Sequence, residues 1–195
     1  STINFAAGNL IGFTFRGTQY ITFQNLTINA PTADRPIWMY NGTHHITFNN
    51  CDIIGNTTST NALTTVIAVT GTNASLTAIG DNANFITVTN CKLAGGYYGL
   101  TVYGTSTTDY VDNFVVTDNV FEDQYYYGVR FYYVNNITLE RNSIKDFRNT
   151  ASYGYYGLYN SNVSVKQNDI FASTYGLYFS QLNAINATTN SEISN

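Results

Sequence analysis

The stretch Tyr127-Gly-Val-Arg-Phe-Tyr-Tyr-Val-Asn-Asn-Ile-Thr-Leu-Glu-Arg-Asn-Ser-Ile144 is the unit that the rest of the chain repeats. It reads as two short strands. In the first, Gly128 to Tyr132, Val129 and Phe131 share one face while Arg130 and Tyr132 share the other. In the second, Ile137 and Leu139 oppose Thr138 and Glu140. Strict alternation over a few residues is the mark of a half-buried strand. Asn135-Asn136 supplies a turn between the two, and Asn142 follows the second.

The second-strand motif returns at Ile21 to Ile28, Ile46 to Ile53 and Ile86 to Leu93. It returns again at Phe114 to Val116, Ile137 to Leu139 and Val163 to Val165, each followed by an asparagine at Asn119, Asn142 or Asn168. A degenerate last copy is expected from about Ala184, with Asn190 in the turn position. The first-strand motif keeps pace. Gly12-Phe13, Pro36-Ile37, Thr65-Val66, Gly99-Leu100, Gly128-Val129, Gly157-Leu158 and Gly176-Leu177 each open a strand. Tyr98, Tyr127, Tyr156 and Tyr175 precede four of them.

Short strands recurring with a period in the twenties, without helical patterning, predict an all-β parallel solenoid of about seven coils. One coil cannot bury its own apolar face, but coils stacked about 4.8 Å apart fill the interior with columns of like side chains. Two such columns are expected. One is Ile21, Ile46, Ile86, Phe114, Ile137 and Val163; the other is Phe23, Phe48, Val88, Val116, Leu139 and Val165. The longest gap, Ile53 to Ile86, holds polar tracts at Asn56 to Asn61 and Gly71 to Ser75, expected as loops on one side.

Composition agrees. Charged residues are 10% and aromatics 15% of the 195 residues, the reverse of a disordered chain. The length suits one domain, residues 1–195, or a segment of a larger extracellular protein. A net charge of -4 makes no case for nucleic acid, which calls for a basic stripe. No apolar run approaches the roughly 20 residues of a membrane span. With neither a starting Met nor a signal peptide, the sequence reads as a processed or excised segment.

The phrases Ile21-Thr-Phe-Gln-Asn-Leu-Thr-Ile28 and Ile137-Thr-Leu-Glu-Arg-Asn-Ser-Ile144 resemble the coil repeat of the right-handed parallel β-helix proteins of the pectate-lyase-like superfamily. The resemblance covers nearly the whole chain and implies the fold. It leaves activity open, because that fold hosts lyases, hydrolases, esterases, tailspikes and non-enzymatic surface proteins. The polygalacturonase motifs Asn-Thr-Asp, Gly-His-Gly and Arg-Ile-Lys are missing, the nearest being Arg141-Asn-Ser-Ile-Lys145. The Trp-x-Asp-His of pectate lyases is missing too, since the sole tryptophan lies in Ile37-Trp38-Met39-Tyr40. Asp109, Asp112, Asp118, Glu122 and Asp123, followed by Arg130, Arg141, Lys145 and Arg148, are the remaining chemistry-bearing groups. Asp118, Asp123, Arg130 and Arg141 are the catalytic candidates of a lyase or hydrolase reading, and Ca2+ would enter only under the lyase. The competing reading places Asp112, Asp118 and Asp123 at turns.

His44 and His45, adjacent on a strand, should point to opposite sides and make a poor metal pair, so no metal site or cofactor is expected. Cys51 and Cys91 occupy one position in successive copies and are expected as a column of thiols, with a disulfide as the alternative. The outward face of the first strand is the candidate ligand-binding stripe: Trp38, Tyr40, Tyr103, Arg130, Tyr132, Tyr159 and Tyr178, with Thr101 among them and Arg16 at its head. Amphipathic aromatic rings suit the faces of sugars, and a self-packed tyrosine ladder is the competing reading. The outward threonine column, Thr22, Thr47, Thr87 and Thr138, is explained by cross-strand pairing. Sequons such as Asn25-Leu-Thr27 are expected by chance in so Asn- and Thr-rich a chain.

Together these features predict a non-catalytic extracellular or cell-surface module. Its expected partners are a polysaccharide or surface glycan, copies of itself or neighbouring β-helix modules. A polysaccharide-degrading enzyme and a structural fibre subunit are the alternatives.

Overall fold

The computed structural model describes every residue except 9, 73, 81, 107–110, 184–189 and 195. Three parallel seven-stranded sheets wrap one core. Sheet A is built from β1 (Thr2–Asn4), β4 (Thr27–Asn29), β7 (Asp52–Ile54), β10 (Lys92–Ala94), β13 (Val120–Glu122), β16 (Ser143–Ile144) and β19 (Asp169–Ile170). Sheet B is built from β2 (Ile11–Arg16), β5 (Arg35–Tyr40), β8 (Thr65–Val69), β11 (Tyr98–Tyr103), β14 (Tyr127–Tyr132), β17 (Tyr153–Leu158) and β20 (Tyr175–Ser180). Sheet C is built from β3 (Gln19–Gln24), β6 (Thr43–Asn49), β9 (Ala83–Thr89), β12 (Val111–Thr117), β15 (Val134–Glu140), β18 (Ser161–Lys166) and β21 (Glu192–Ser194). Each coil contributes one strand to each sheet in the order A, B, C, and the chain passes through seven coils. Among the described residues no helix is long and apolar enough to cross a membrane.

Both expected columns of sheet C are present. Ile21, Ile46, Ile86, Phe114, Ile137 and Val163 pair in register, as do Phe23, Phe48, Val88, Val116, Leu139 and Val165. Sheet A adds a third column, Ile28, Ile53, Leu93, Phe121, Ile144 and Ile170. Like side chains stack because every coil repeats the geometry of the last; Phe23 and Phe48, for example, lie 5.1 Å apart at 14°.

Where sheet C turns into sheet A, the interior carries polar groups that satisfy one another. Asn142 Nδ2 donates to Val116 O at 2.8 Å and to Asn168 Oδ1 at 2.9 Å. Asn142 Oδ1 accepts from the backbone N–H and from Nδ2 of Asn119, both at 3.0 Å. Asn119 Oδ1 in turn accepts from Cys91 N at 2.8 Å, and Cys51 N donates to Cys91 Sγ at 3.4 Å. The asparagine ladder therefore runs on into the thiol column. Both cysteines are free, and burial pushes the Cys91 thiol up to about 12.

Five local expectations are corrected. The glycine that opens β17 is Gly154, not Gly157, because Tyr153 pairs with Tyr127 and Tyr175. Tyr155 fills the slot of Val129 with a ring that needs the neighbouring space, and Gly157, opposite Phe131, leaves it free. A Cβ on Gly157 would sit 2.6 Å from the Tyr155 ring. In coil 3 Thr65 aligns with Tyr98 rather than with Gly99, so Val66-Ile67, not Thr65-Val66, stands opposite Gly99-Leu100. Asn135 and Asn136 both lie inside β15, and the left-handed residues there are Tyr133, just before the strand, and Asn136, within it. Asp112 lies within β12, where its carboxylate accepts from Asn135 Nδ2 at 2.6 Å, rather than in a turn. Asn190 precedes β21 instead of following a strand, while Ala184 and Asp109 lie outside the described residues.

The long polar tracts do not leave from one side. Residues 55–64 emerge before β8 and residues 70–82 after it, so they flank both rims of sheet B. That placement decides which part of sheet B meets solvent.

Candidate functional site

The outward face of sheet B carries the aromatic stripe, and its two halves differ. Trp38 is buried, stacked on Tyr40 at 4.1 Å and 3°, with its indole N–H donating to Thr70 O at 2.9 Å. Leu76, from the loop after β8, packs with Trp38, Ala68 and Tyr98. Arg130 lies beneath the same cover, only 7% exposed. Its guanidinium donates to Thr101 Oγ1 at 3.0 Å, to Tyr98 Oη at 2.9 Å and to Leu76 O at 2.9 Å. The Tyr98 and Tyr132 rings flank it, with centroids 4.3 Å and 5.3 Å away. Trp38, Thr101 and Arg130 are thus tied into a packed cluster.

Beyond that cover, rings stay half-exposed. Tyr103 stacks on Tyr132 at 4.9 Å and 18°, and Tyr156 on Tyr178 at 4.6 Å and 6°; Tyr132 and Tyr156 lie 6.1 Å apart. Tyr156 sits opposite Arg130 and Tyr178 in the register, which makes it the outward tyrosine of coil 6. The expectation for Tyr159 is corrected accordingly: it lies past the end of β17 with φ 54° and stacks on Tyr133 at 5.0 Å. Alongside runs a second row, Tyr98, Tyr127 and Tyr153, at 5.1 Å and 4.9 Å. Burial raises the Tyr127 and Tyr132 hydroxyls above the ordinary tyrosine range, so these rings stay neutral donors.

The corner between sheets B and C shows a feature the sequence reading missed. Tyr20, His45 and Phe85 occupy equivalent positions of coils 1 to 3, each with φ of 55° or 56°. Their rings form an outward stack, Tyr20 to His45 at 4.6 Å and His45 to Phe85 at 4.5 Å. Tyr20 is 72% and Phe85 46% exposed. The next three coils place Asn113, Asn136 and Asn162 at this position with the same backbone sign. Left-handed backbone costs an ordinary residue about 1–2 kcal/mol, and asparagine tolerates it better. An aromatic pair returns about 0.5–1.5 kcal/mol, so two stacking contacts do not clearly offset three strained residues.

The same corner corrects the histidine expectation. The left-handed turn at His45 swings its ring to the side of His44, and the two Nδ1 atoms lie 2.8 Å apart. Among the described residues no three His, Cys, Asp or Glu side chains cluster as metal ligands do.

The catalytic candidates are dispersed. Asp118 and Arg141 stand together at the corner from sheet C to sheet A, both with positive φ, and form a two-pronged ion pair at 2.8 and 2.9 Å. That hydrogen-bonded guanidinium holds the Asp118 carboxyl below the ordinary carboxylate range. Asp123 is at the far end of β13, a left-handed turn residue whose N–H donates to Asp146 O at 3.1 Å. Arg130 belongs to sheet B. Arg148 packs over Tyr125 and donates to Asp123 O, Ser59 O and Gly96 O at 2.7, 2.8 and 3.0 Å.

A family model described as the right handed beta helix region matches residues 76–195. The chain belongs to the right-handed β-helix family. No curated protein and no solved structure is a significant match to it. The inserted tracts on either side of β8 were the available signal that part of sheet B is roofed.

Proposed function

We propose that this β-helix is a non-catalytic extracellular or cell-surface module that binds a glycan on the tyrosine platform of sheet B. The half-exposed, stacked series Tyr103, Tyr132, Tyr156 and Tyr178 carries this reading. Rings held by neighbouring coils lose little conformational freedom on binding, and their hydroxyls stand ready to pair with sugar hydroxyls. The lyase or hydrolase reading draws no comparable support, since Asp118, Asp123 and Arg130 stand on separate parts of the coil and Arg141 engages Asp118.

Affinity electrophoresis through gels containing hydroxyethylcellulose, xylan, dextran or polygalacturonate tests this. At least one gel should retard the chain, and the triple variant Tyr103→Ala, Tyr132→Ala, Tyr178→Ala should run at least tenfold more weakly bound. Equal mobility of variant and parent in the retarding gel would sink the platform. Filaments in micrographs of a chain that no gel retards would move the assignment to a fibre subunit.

A further inference from the structure

We infer that the exposed ring stack at the corner between sheets B and C is a second saccharide contact, reading uncharged sugars. The chain itself supplies the comparison. Coils 4 to 6 turn this corner with Asn113, Asn136 and Asn162, residues suited to left-handed backbone, while coils 1 to 3 turn it with Tyr20, His45 and Phe85. The strained rings are not buried in return: they point outward, stack on one another and meet His44 edge-on.

Beside the stack lies an open cavity of about 360 Å3 lined by His45, Thr47, Phe85, Thr87, Asn113 and Val115. The Phe85 ring and the threonines Thr47 and Thr87 are among its lining residues. None of these side chains is a carboxylate, lysine or arginine. That combination suits a neutral pyranose, whose C–H face packs on a ring while its hydroxyls meet Thr47, Thr87 and the Asn113 amide. Because Tyr20 and Phe85 cover both faces of His45, the ring face left free toward Asn113 is that of Phe85, and the site would take one sugar unit there.

The same corner uses aromatic residues elsewhere in a complementary way. In coils 5 and 6 the rings move to the earlier left-handed position, Tyr133 and Tyr159, and asparagine takes the later one. In coils 1 and 2 the earlier position is Gly17 or Asn41-Gly42. Each of these four coils carries one strained ring at this edge and a permissive residue at the other position.

This site does not depend on the sheet B platform, although it shares the ligand class proposed for it. The test replaces Tyr20, His45 and Phe85 together by asparagine, the residue that later coils use there, so the variant keeps a backbone-compatible corner. Wild type, this variant and the sheet B triple variant run through the same four gels. Retardation of wild type by hydroxyethylcellulose, xylan or dextran, weakened at least threefold in the corner variant, is the expected result. In solution the His45 ring-proton resonance of wild type should also shift when whichever of hydroxyethylcellulose, xylan or dextran retards the chain is added. A corner variant with wild-type retardation in every gel overturns the inference; if the sheet B variant alone loses binding, the proposed function stands without it. Failure of all three neutral gels to retard wild type overturns it as well.

Discussion

Replacing Asn142 by alanine should destabilise the chain by about 4 kcal/mol, the largest loss expected from any single polar side chain here. Asn142 is buried and joins four partners: Val116 O, Asn168 Oδ1 and two groups of Asn119. Truncation leaves the Asn119 N–H without its acceptor in a place where each orphaned group costs about 1–3 kcal/mol, and it opens a void besides. Urea unfolding would show a lower midpoint with an unchanged slope. A loss under about 1 kcal/mol would mean that water replaces the amide, and the ladder would then be ornament rather than structure.

Arg130→Ala should cost about 3 kcal/mol and change the fluorescence of the folded chain. The substitution removes three hydrogen bonds from a charged donor and two ring contacts, and it strips Leu76 O and Tyr98 Oη of a partner. Leu76 packs in the same cluster as Trp38, the sole tryptophan, so emission should move to the red as the loop lifts and water enters. Arg130→Lys keeps the charge but not the planar fork, and should fall between. Unaltered emission in the alanine variant would show that Leu76 holds the loop without help.

Much of this molecule was legible in its sequence, for a physical reason. Inward residues repeat with period two and stack on copies of themselves, so Ile21 and Ile46 announce Ile86 and Ile137. The coil count and the recurrence of Asn119, Asn142 and Asn168 follow from the same periodicity, whereas the inward ladder they form was not expected. What escaped were features that periodicity does not encode. Tyr153-Gly-Tyr-Tyr-Gly-Leu158 contains two Tyr-Gly pairs, and only the exchange of volume between Tyr155 and Gly157 selects the first. Left-handed backbone is normally announced by Gly or Asn, so Tyr20, His45, Phe85, Tyr133 and Tyr159 gave no warning of it. Arg130 alternates outward as expected, yet it is buried because its cover arrives from Leu76, 54 residues earlier.

A stack whose members touch only their nearest neighbours would unravel one coil at a time from either end. Two arginines alter that picture. Arg130, in coil 5, grips Leu76 O from coil 3 past the intervening Tyr98 and Thr101 of coil 4. Arg148, after the sheet A strand of coil 6, holds carbonyls of Ser59, Gly96 and Asp123, which belong to coils 3, 4 and 5. Coils 3 to 6 are thereby stitched across more than one layer, and their amides should exchange with solvent together, in one opening event. Coils 1, 2 and 7 have no such stitch to these arginines and should exchange earlier and separately. Placed in the terms of a chain under load, the centre of the β-helix is a single block, and its ends are hinges that can peel, carrying Tyr178 away while the block keeps Tyr103, Tyr132 and Tyr156 in place.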